Sequence, residues 1–421
     1  MSKTIVEKIL SKKSGREVAS GDITTAKVDF VMIPDAQGPW VIETFAKLKN
    51  QSVFDSSRAA FIIDHYVPCP NAKVAAHHDM IREFCRVHGI KLYESGEGIC
   101  HRLMFEKGHI YPGGLFIGAD SHSCSYGVVS GLGTGVGATD TAVALHYGEL
   151  WFKVPFSIKV VLEGELKPFV TAKDIALYII GYLKAQGALY KALEFTGPGL
   201  SSLDIEDRFT ICNMSVECGA KFGIMPFDKV AETWCIERGI DVSEAVCSDT
   251  DAIYERELVI DLADIGCGIA LPHNTDNYVL LKDIEGKKVD MVMIGTCSGG
   301  ALKDLAEAAK VLRGQKPCGS VRFLVVPGSK KVYSEAVKEG YISTFLDYGA
   351  IILPPGCGPC CGSSPGVPGD KEVVLSTANR NFIGRMGNPA SEIYLASTYA
   401  CAAALITGKI THPEAFVNGR V

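Results

Sequence analysis

Residues 115–123 read Leu-Phe-Ile-Gly-Ala-Asp-Ser-His-Ser, a short apolar run that opens into a loop with an aspartate and a histidine. Three more apolar runs end in loops of this kind, at Asp64-His65, at Thr296-Cys297 and at Gly356-Cys357. Short continuous apolar runs are typical of strands that are buried on both faces of a sheet. In open α/β sheets, ligands bind beyond the carboxyl ends of the strands. The four loops therefore predict one shared cleft at a sheet edge.

Strand-like and helix-like patterns alternate along the chain. The apolar runs that predict buried strands are Ala59–Ile63, Leu115–Ile117, Ile158–Leu162, Met291–Ile294, Val321–Val326 and Ala350–Leu353. The helical patterns between them include Val74–His88, Ala172–Lys184, Lys303–Arg313 and Ser391–Leu405. This alternation predicts an α/β protein with largely parallel sheets.

The length favours more than one domain. At about 100–200 residues per domain, a chain of 421 residues makes two or three domains and can bury a large core. We expect three α/β domains, over residues 1–127, 128–272 and 273–421, the last of which carries the richest cysteine loop.

Composition and charge exclude several classes of protein. Apolar residues make up 47% of the chain, which is too apolar for a disordered protein. The net charge of −6 argues against the positively charged surface that a nucleic-acid-binding protein needs. The N-terminus has no apolar signal core, and the apolar stretch 393–408 is too short and too mixed for a membrane span. We therefore expect a cytoplasmic protein that binds neither membrane nor nucleic acid.

The cysteines predict reduced thiols and a metal site. Their number, 15, is odd, and they are spread over the whole chain, unlike the paired set of a small secreted scaffold. Residues 356–361, Gly-Cys-Gly-Pro-Cys-Cys, place a C-x-x-C pair on a tight loop, and Cys297 offers a third thiolate. Three interpretations are open: a thioredoxin-like redox motif, a structural zinc site that needs a fourth ligand, and a [4Fe–4S] cluster. Three thiolates leave one iron of such a cluster open as a Lewis acid.

A glycine-rich segment at residues 133–138, Gly-Thr-Gly-Val-Gly-Ala, matches the dinucleotide-binding fingerprint G-x-G-x-x-A. No clear strand precedes it, and no acidic residue for a ribose hydroxyl follows at the usual distance. We interpret the segment as a glycine-rich entry into a helix.

Seven motifs follow one another along the chain. They are Asp64-His65, Gly96–His101, Gly118–Ser123, Asn213–Glu217, Gly295–Cys297, Gly356–Cys360 and Ser376–Arg385. With this set the chain resembles the aconitase-type hydro-lyases, and among them the separate large subunits of the isopropylmalate dehydratase and homoaconitase type. The resemblance covers nearly the whole chain. It implies an aconitase-like three-domain α/β/α fold with largely parallel sheets, in which the cluster and substrate cleft lies between the domains.

The resemblance also implies one [4Fe–4S] cluster with three cysteine ligands and one open iron. The matching ligands are Cys297, Cys357 and Cys360, and Cys361 is not counted among them. Asn213 and Asn379 are the implied support residues of the cluster.

The implied reaction removes water from a 2-hydroxy dicarboxylate, or adds it back. The leaving hydroxide needs a Lewis acid and a proton donor. The residues implied for this chemistry are Asp64, His65, His101, Asp120, His122 and Glu217. The residues implied to bind the substrate are Arg380, Arg385, Ser121 and Asp35. The histidines interpreted as ordinary core or surface residues are His77, His78, His88 and His109.

Five positions depart from the pattern of the isopropylmalate and homoaconitate enzymes. Those enzymes usually carry His, Thr, Thr, Asn and Arg where this chain has Pro34, Ser123, Ser298, Gly299 and Ala301. The substrate is therefore open between an isopropylmalate-type enzyme and a 2,3-dimethylmalate dehydratase (dimethylmaleate hydratase), with homoaconitase as a further alternative. An interpretation from another class is a non-catalytic, RNA-binding relative.

Aconitases carry a further mobile domain, which the resemblance implies as the source of a serine base and of more arginine for the substrate. This chain matches the family only as far as the third domain. We therefore expect a separate small subunit to complete the active site, with a small dicarboxylate as the substrate.

Overall fold

The computed structural model describes residues 2–416. In chain order its strands are β1 (Ile23–Lys27), β2 (Phe30–Pro34), β3 (Ala59–Ile62), β4 (Lys91–Tyr93), β5 (Leu115–Gly118), β6 (Leu132–Gly135), β7 (Glu149–Lys153), β8 (Ser157–Glu163), β9 (Ala192–Thr196), β10 (Phe222–Ile224), β11 (Arg256–Asp261), β12 (Gly268–Ala270), β13 (Tyr278–Leu280), β14 (Met291–Gly295), β15 (Arg322–Val326), β16 (Ile351–Ile352), β17 (Val373–Ser376) and β18 (Glu392–Ala396). Its α-helices are α1 (Ile5–Ser14), α2 (Gly38–Phe45), α3 (Ala72–His88), α4 (Cys100–Glu106), α5 (Ala138–Tyr147), α6 (Ala172–Leu183), α7 (Ile205–Met214), α8 (Lys229–Ile236), α9 (Leu302–Leu312), α10 (Lys330–Lys338), α11 (Tyr341–Asp347) and α12 (Thr398–Thr407). The 3-10 segments that matter for the site are Ser121–Val129, Ser215–Cys218 and Gly358–Cys361.

The first sheet separates two hydrophobic cores. Its strand order is β4-β3-β2-β5-β6, and every neighbouring pair is parallel. Side chains alternate between the two faces of a strand, so Val31 and Ile33 of β2 pack in one core while Met32 packs in the other. A strand that is buried on both faces needs apolar residues at every position, which is why its sequence is an uninterrupted apolar run.

Two further sheets share the core that contains Met32. The second sheet has the order β10-β9-β8-β11 and is parallel throughout. The third has the order β13-β12-β18-β17-β14-β15-β16; it is parallel from β18 to β16 and antiparallel at β12 and β13. Val160 of β8 and Ile294 of β14 join the same core. Strands β1 and β7 form a small antiparallel ribbon. The predicted α/β architecture with largely parallel sheets is confirmed.

One predicted helix is wrong. The helical pattern over Ser391–Leu405 divides in the structure into strand β18 and helix α12, separated by the N-cap residue Ser397. Residues 393–396 form a buried run that pairs with β17 on one side and with β12 on the other, so burial on both faces outweighs the helical spacing. Within residues 2–416, no helix combines the length and the hydrophobicity that a bilayer span requires.

The glycine-rich segment 133–138 forms the end of β6 and the entry into α5, with Gly137 as the N-cap residue. The interpretation as a helix entry is confirmed, but a strand does lead into it, in contrast to the expectation from the sequence. The structure adds a reason for two of the glycines. A Cβ atom at Gly133 would lie 2.2 Å from the carbonyl oxygen of Ser123, and one at Gly135 would lie 2.5 Å from that of Asp120. The glycines therefore allow β6 to pack directly against the loop that follows β5.

The predicted division into domains at residues 127 and 272 stays a prediction. The first sheet extends beyond residue 127, because β6 pairs with β5. The third sheet begins before residue 272, because β12 pairs with β13 and β18. Residue 1 and residues 417–421, at the outer ends of the predicted domains, lie outside the described residues.

The substitution Gly127→Ala is expected to destabilise the contact between the 3-10 segment Ser121–Val129 and the second sheet. A Cβ atom at residue 127 would lie 1.8 Å from the carbonyl oxygen of Gly223 on β10. Overpacking against backbone costs roughly 1–3 kcal/mol of unfolding free energy. The urea midpoint of unfolding, followed by circular dichroism, should fall accordingly.

Gly137→Ser is the matched control. A Cβ atom at residue 137 meets nothing within 4 Å, and serine is favoured at the N-cap position that Gly137 occupies. The urea midpoint of this variant should equal or exceed that of the wild type. Equal midpoints for the two variants would contradict the predicted clash at residue 127.

Candidate active site

Loops from two sheets and the ends of two helices meet at a single place. The first sheet contributes the loops that follow β3 and β5 and the N-terminal end of α4, and the third sheet contributes the loops that follow β14, β16 and β17. The C-terminal end of α7 and the 3-10 segment Ser215–Cys218 approach from the second sheet. Parallel strands present their carboxyl ends at one edge of a sheet, so these polar loops gather there.

The loops line a cleft with ≈ 340 Å³ of space, part of which is open to solvent. Its lining consists of His65, Ile99, Cys100, His101, Asp120, His122, Thr296, Cys297, Cys357, Cys360, Asn379 and Arg385. The predicted site residues that lie outside this lining are Asp35, Asp64, Ser121, Asn213, Glu217 and Arg380. Most of this second group bond to a residue of the lining, and Ser121 stands in the chain between two lining residues.

Asp120 lies among three imidazoles. His101 Nε2 is 2.8 Å from Asp120 Oδ1, and His122 Nδ1 is 3.6 Å from the same oxygen. His65 Nε2 is 3.6 Å from Asp120 Oδ2. Burial alone would raise the pKa of Asp120, but the three histidines outweigh burial and hold that pKa well below its usual range. Asp120 is therefore an ionised carboxylate that orients the surrounding rings.

His65 keeps one ring nitrogen for the cleft. Its Nδ1 is anchored 2.8 Å from Asp64 Oδ1, while the 3.6 Å between Nε2 and Asp120 is too long for a hydrogen bond. Burial alone would lower the pKa of His65, but the charges of Asp64 and Asp120 raise it well above its usual value. His101 differs, because both of its nitrogens are engaged, one with Asp120 and one with the Tyr126 hydroxyl at 3.1 Å.

Glu217 connects the third imidazole to an arginine. Glu217 Oε1 lies 3.0 Å from His122 Nε2, and it accepts a hydrogen bond of 2.7 Å from Arg380 Nε. Burial alone would raise the pKa of Glu217, but His122 and Arg380 outweigh burial and lower it. Arg380 therefore contacts Glu217 in this structure, and its contact with a substrate carboxylate stays a prediction.

Asp35 lies behind the cleft, in contrast to its predicted contact with the substrate. It is 3% exposed, and it accepts hydrogen bonds from the backbone N–H groups of Asp64, His65 and Tyr66. His78 Nε2 lies 2.9 Å from its other side. Both carboxylate oxygens are occupied, so Asp35 supports the loop that carries His65. His78, a core residue as interpreted, has the further role of holding Asp35.

Cys297, Cys357 and Cys360 together line the cleft beside the imidazoles. Burial raises the pKa of the Cys297 thiol to about 11. A hydrogen bond from Cys357, with a smaller contribution from the Arg385 guanidinium, lowers the pKa of Cys360 well below its usual value. Arg385 thus stabilises negative charge on the thiol at this position.

Two asparagines hold the first of these thiols. Asn379 Nδ2 donates to Cys297 Sγ at 3.2 Å and to Asn213 Oδ1 at 2.5 Å. Both asparagines are fully buried. The structure therefore brings together the thiol and the two predicted support residues.

The thiols fit an iron–sulfur cluster better than a single metal ion. Zinc, with Zn–S distances of about 2.3 Å, brings tetrahedral ligand atoms to within about 4 Å of one another. Within residues 2–416, the sulfur atoms of Cys297, Cys357 and Cys360 do not all lie within 4.8 Å of one another. Asn213 Nδ2 and Arg385 Nε are buried donors without a partner in the described part of the chain, and sulfide or thiolate would accept from them.

Sequence reasoning missed four residues around the cleft. They are Ile99, Cys100, Tyr126 and Thr296. Thr296 has a φ of 73°, which is unusual for a β-branched residue, and it follows Gly295, where a Cβ atom would lie 2.1 Å from the carbonyl oxygen of Val326. The sequence Gly295-Thr296-Cys297 could have predicted this strained turn. Only glycine at residue 295 allows the backbone to lie so close to Val326 just before the cysteine.

The sequence profile of the aconitase family (aconitate hydratase) matches residues 7–285 and 281–408. The chain belongs to the aconitase family. It is 44% identical to the 3-isopropylmalate dehydratase large subunit 1 of Thermotoga maritima over 420 residues, which cover 99% of this chain and 100% of that protein. It is 45% identical to the 3-isopropylmalate dehydratase large subunit 1 of Pyrococcus furiosus, with 99% of each chain covered.

A solved structure agrees with the aconitase fold. The holo-form of aconitase X from Thermococcus kodakaraensis superposes with a TM-score of 0.54 at 14% sequence identity, and the match covers 85% of this chain and 84% of that one. At this identity the likeness concerns the fold alone. Membership in the aconitase family confirms the predicted enzyme class, a hydro-lyase, and the family implies a [4Fe–4S] cluster.

The five departures from the family pattern lie outside the cleft lining. Pro34 ends β2, and Ser123 lies in a 3-10 segment. A Cβ atom at Gly299 would lie 2.4 Å from Thr377 Oγ1, so this glycine is needed for close packing. Ala301 faces a separate cavity next to α9. Ser298 also lies outside the lining, and it donates a hydrogen bond to Asn379, which is part of the lining. None of the five residues lines the cleft that holds the thiols.

The substitution Asp35→Asn is expected to loosen the loop that carries His65. The amide would turn an N–H group toward backbone N–H groups that now donate to a carboxylate. The loss of hydrogen bonds to a buried charge costs about 1.5–3 kcal/mol of unfolding free energy. The measurement is the urea midpoint of the cluster-free protein.

Asp55→Asn is the matched control for this substitution. Asp55 also accepts a backbone hydrogen bond, from Ser57 N, but it lies in an exposed turn. Its replacement is expected to change the midpoint by much less. A shift at residue 35 no larger than that at residue 55 would contradict the supporting role of Asp35.

Proposed function

We propose that this chain is the large, catalytic subunit of a 3-isopropylmalate dehydratase, a [4Fe–4S] hydro-lyase. Such an enzyme reversibly dehydrates a branched 2-hydroxy dicarboxylate, a substituted malate, to an alkene dicarboxylate. The observation that carries the proposal is the meeting of three thiols and an Asp–His network in one cleft. Full-length identities of 40–45% to proteins named 3-isopropylmalate dehydratase large subunits support the choice of substrate.

Cys297, Cys357 and Cys360 would hold the cluster. With three protein ligands, a bound [4Fe–4S] cluster supplies one open iron, a Lewis acid for the hydroxyl of the substrate. Asn379 donates to Cys297 Sγ, and it would keep the first ligand in place. Asn213, bonded to Asn379, would offer its spare N–H to the cluster.

His65 is the proposed proton donor to the leaving hydroxyl. Asp64 anchors its Nδ1, so the proton on Nε2 points into the cleft. The raised pKa of His65 keeps Nε2 protonated, so that it can donate this proton to the leaving hydroxyl. Asp120 orients His101, whose two engaged nitrogens make it a positioning group. Glu217 and His122 would lie beside the departing hydroxyl or the incoming water.

Arginines would bind the carboxylates of the substrate. Arg385 lines the cleft and has a buried Nε without a partner among the described residues. A guanidinium can donate two parallel hydrogen bonds to a carboxylate. Arg380 lies next to the cleft on Glu217, and a substrate carboxylate would approach its remaining donors. Ser121, between Asp120 and His122, is the remaining residue proposed for substrate contact.

A separate small subunit is the proposed partner. The relatives compared above are named large subunits, and each matches this chain over nearly its whole length. The small subunit would supply the base that removes the proton from carbon and would close the cleft over the dicarboxylate. A cytoplasmic location is part of the proposal, because the thiols need a reducing compartment.

The expected substrate preference can be measured directly. The chain, co-produced anaerobically with a small subunit from the same source, should form the alkene faster from 3-isopropylmalate than from homocitrate, citramalate or 2,3-dimethylmalate. Alkene absorbance in the ultraviolet is the readout. A preference for 2,3-dimethylmalate would replace the proposed substrate while keeping the reaction class. Full activity of the chain without the small subunit would contradict the proposed partner.

Replacement of any one of the three proposed cysteine ligands by serine is expected to prevent stable cluster assembly, because a hydroxyl group takes the place of a soft thiolate ligand. The iron and labile sulfide content after anaerobic reconstitution should fall several-fold for Cys297→Ser, Cys357→Ser and Cys360→Ser. Cys361→Ser is the matched control, since it changes the adjacent cysteine, and it should keep the cluster. Full iron and sulfide in any of the three variants would contradict that ligand.

A further inference from the structure

Lys173, the second residue of α6, is buried inside the protein at 4% exposure. Its Nζ donates to three uncharged oxygens: Ser298 Oγ at 2.6 Å, Thr377 O at 2.8 Å and Ala378 O at 3.2 Å. Burial of an ammonium group is costly unless hydrogen bonds satisfy all of its donors. The three donors of Lys173 are satisfied, and the steps proposed above do not use this residue.

The acceptors of Lys173 lie on the two loops that hold the first cluster ligand. Ser298 follows Cys297 in the loop after β14. Thr377 and Ala378 precede Asn379 in the loop after β17, the parallel neighbour of β14. A single ammonium group therefore joins the loop with the thiol to the loop with the asparagine that donates to it.

A directed chain of hydrogen bonds leads from the ammonium to the thiol. Ser298 Oγ accepts from Lys173, so its one proton is free to donate to Asn379 Oδ1. Asn379 then has its NH₂ group on the other side, where it donates to Cys297 Sγ and to Asn213 Oδ1. The ammonium sets the direction of the first step, because it can only donate to Ser298 Oγ. Without Lys173, the Ser298 hydroxyl could turn and the Asn379 amide could flip.

The charge of Lys173 persists at neutral pH. Burial lowers the pKa of Lys173 to about 8, which leaves the ammonium form in excess at pH 7. A positive charge in the low-dielectric interior stabilises negative charge nearby more strongly than it would in water.

We propose that Lys173 is a positioning residue for the cluster, which orients Asn379 through Ser298 and stabilises negative charge at Cys297. This inference rests on the proposed function, because it concerns the cluster named there. It adds α6, on the side of the second sheet, to the elements that determine how tightly the cluster is held and how easily it is reduced.

The test compares three variants with the wild type after anaerobic reconstitution: Lys173→Met, Ser298→Ala and Thr171→Val. Thr171→Val is the matched control, because Thr171 precedes α6 and its hydroxyl bonds only to Asp174 of that helix. The readouts are the reduction potential, the electron paramagnetic resonance spectrum of the reduced cluster, and the rate of iron loss to a chelator.

Lys173→Met should lower the reduction potential, because reduction adds negative charge that the ammonium no longer stabilises. It should also lose iron at least tenfold faster than the wild type. Ser298→Ala keeps the charge and breaks the chain, so its spectrum should change and its iron loss should be intermediate. Thr171→Val should match the wild type in all three readouts.

A wild-type potential and iron-loss rate in Lys173→Met would overturn the inference while the proposed function stands. If Lys173→Met does not fold, an unchanged spectrum and iron-loss rate in Ser298→Ala would overturn it instead. Failure of the wild type to take up a cluster would refute the proposed function, and the inference with it. These outcomes separate the two proposals.

Discussion

A partly buried carboxylate surrounded by imidazoles is the constraint on which this site depends. Asp120 stays ionised there because His122 of its own loop and His65 and His101 from other segments approach it. It also organises its own loop, since its side chain accepts a hydrogen bond of 2.9 Å from the His122 backbone N–H and its carbonyl oxygen accepts one of 2.7 Å from Ser123 Oγ. The glycines of β6 permit this loop to lie directly against the next strand. Local backbone geometry and the charge balance of the cleft are therefore coupled through one residue.

The alternation of apolar runs and helical patterns was sufficient to predict the α/β architecture. A parallel strand between two cores must be apolar at every position, so such strands are easy to recognise in a sequence. The same rule explains the error at Ser391–Leu405. There the buried strand β18 precedes a helix that is apolar on nearly every face, and the strand and helix together imitate one long helical pattern.

Part of the candidate site could be predicted from the sequence. Residues that follow strands directly, such as His65, Asp120 and Cys297, could be predicted because parallel strands bring their ends together. The supporting role of Asp35 could not, because it depends on three backbone N–H groups that turn toward it only in the folded loop. The role of Lys173 could not be predicted for a similar reason, since the groups that accept its hydrogen bonds are distant in the chain and two of them are backbone carbonyl oxygens.

The first sheet supplies imidazoles, the third supplies thiols, and the second contributes Asn213 through α7 and Lys173 through α6. No single sheet therefore carries a complete set of groups around the cleft. A fragment that contained one or two of the sheets could regain its secondary structure and still lack part of the coordination environment. The brown colour of a bound iron–sulfur cluster would consequently report that all three sheets have assembled around the cleft. It would be visible by eye during refolding or limited proteolysis, where far-ultraviolet circular dichroism reports only helices and strands.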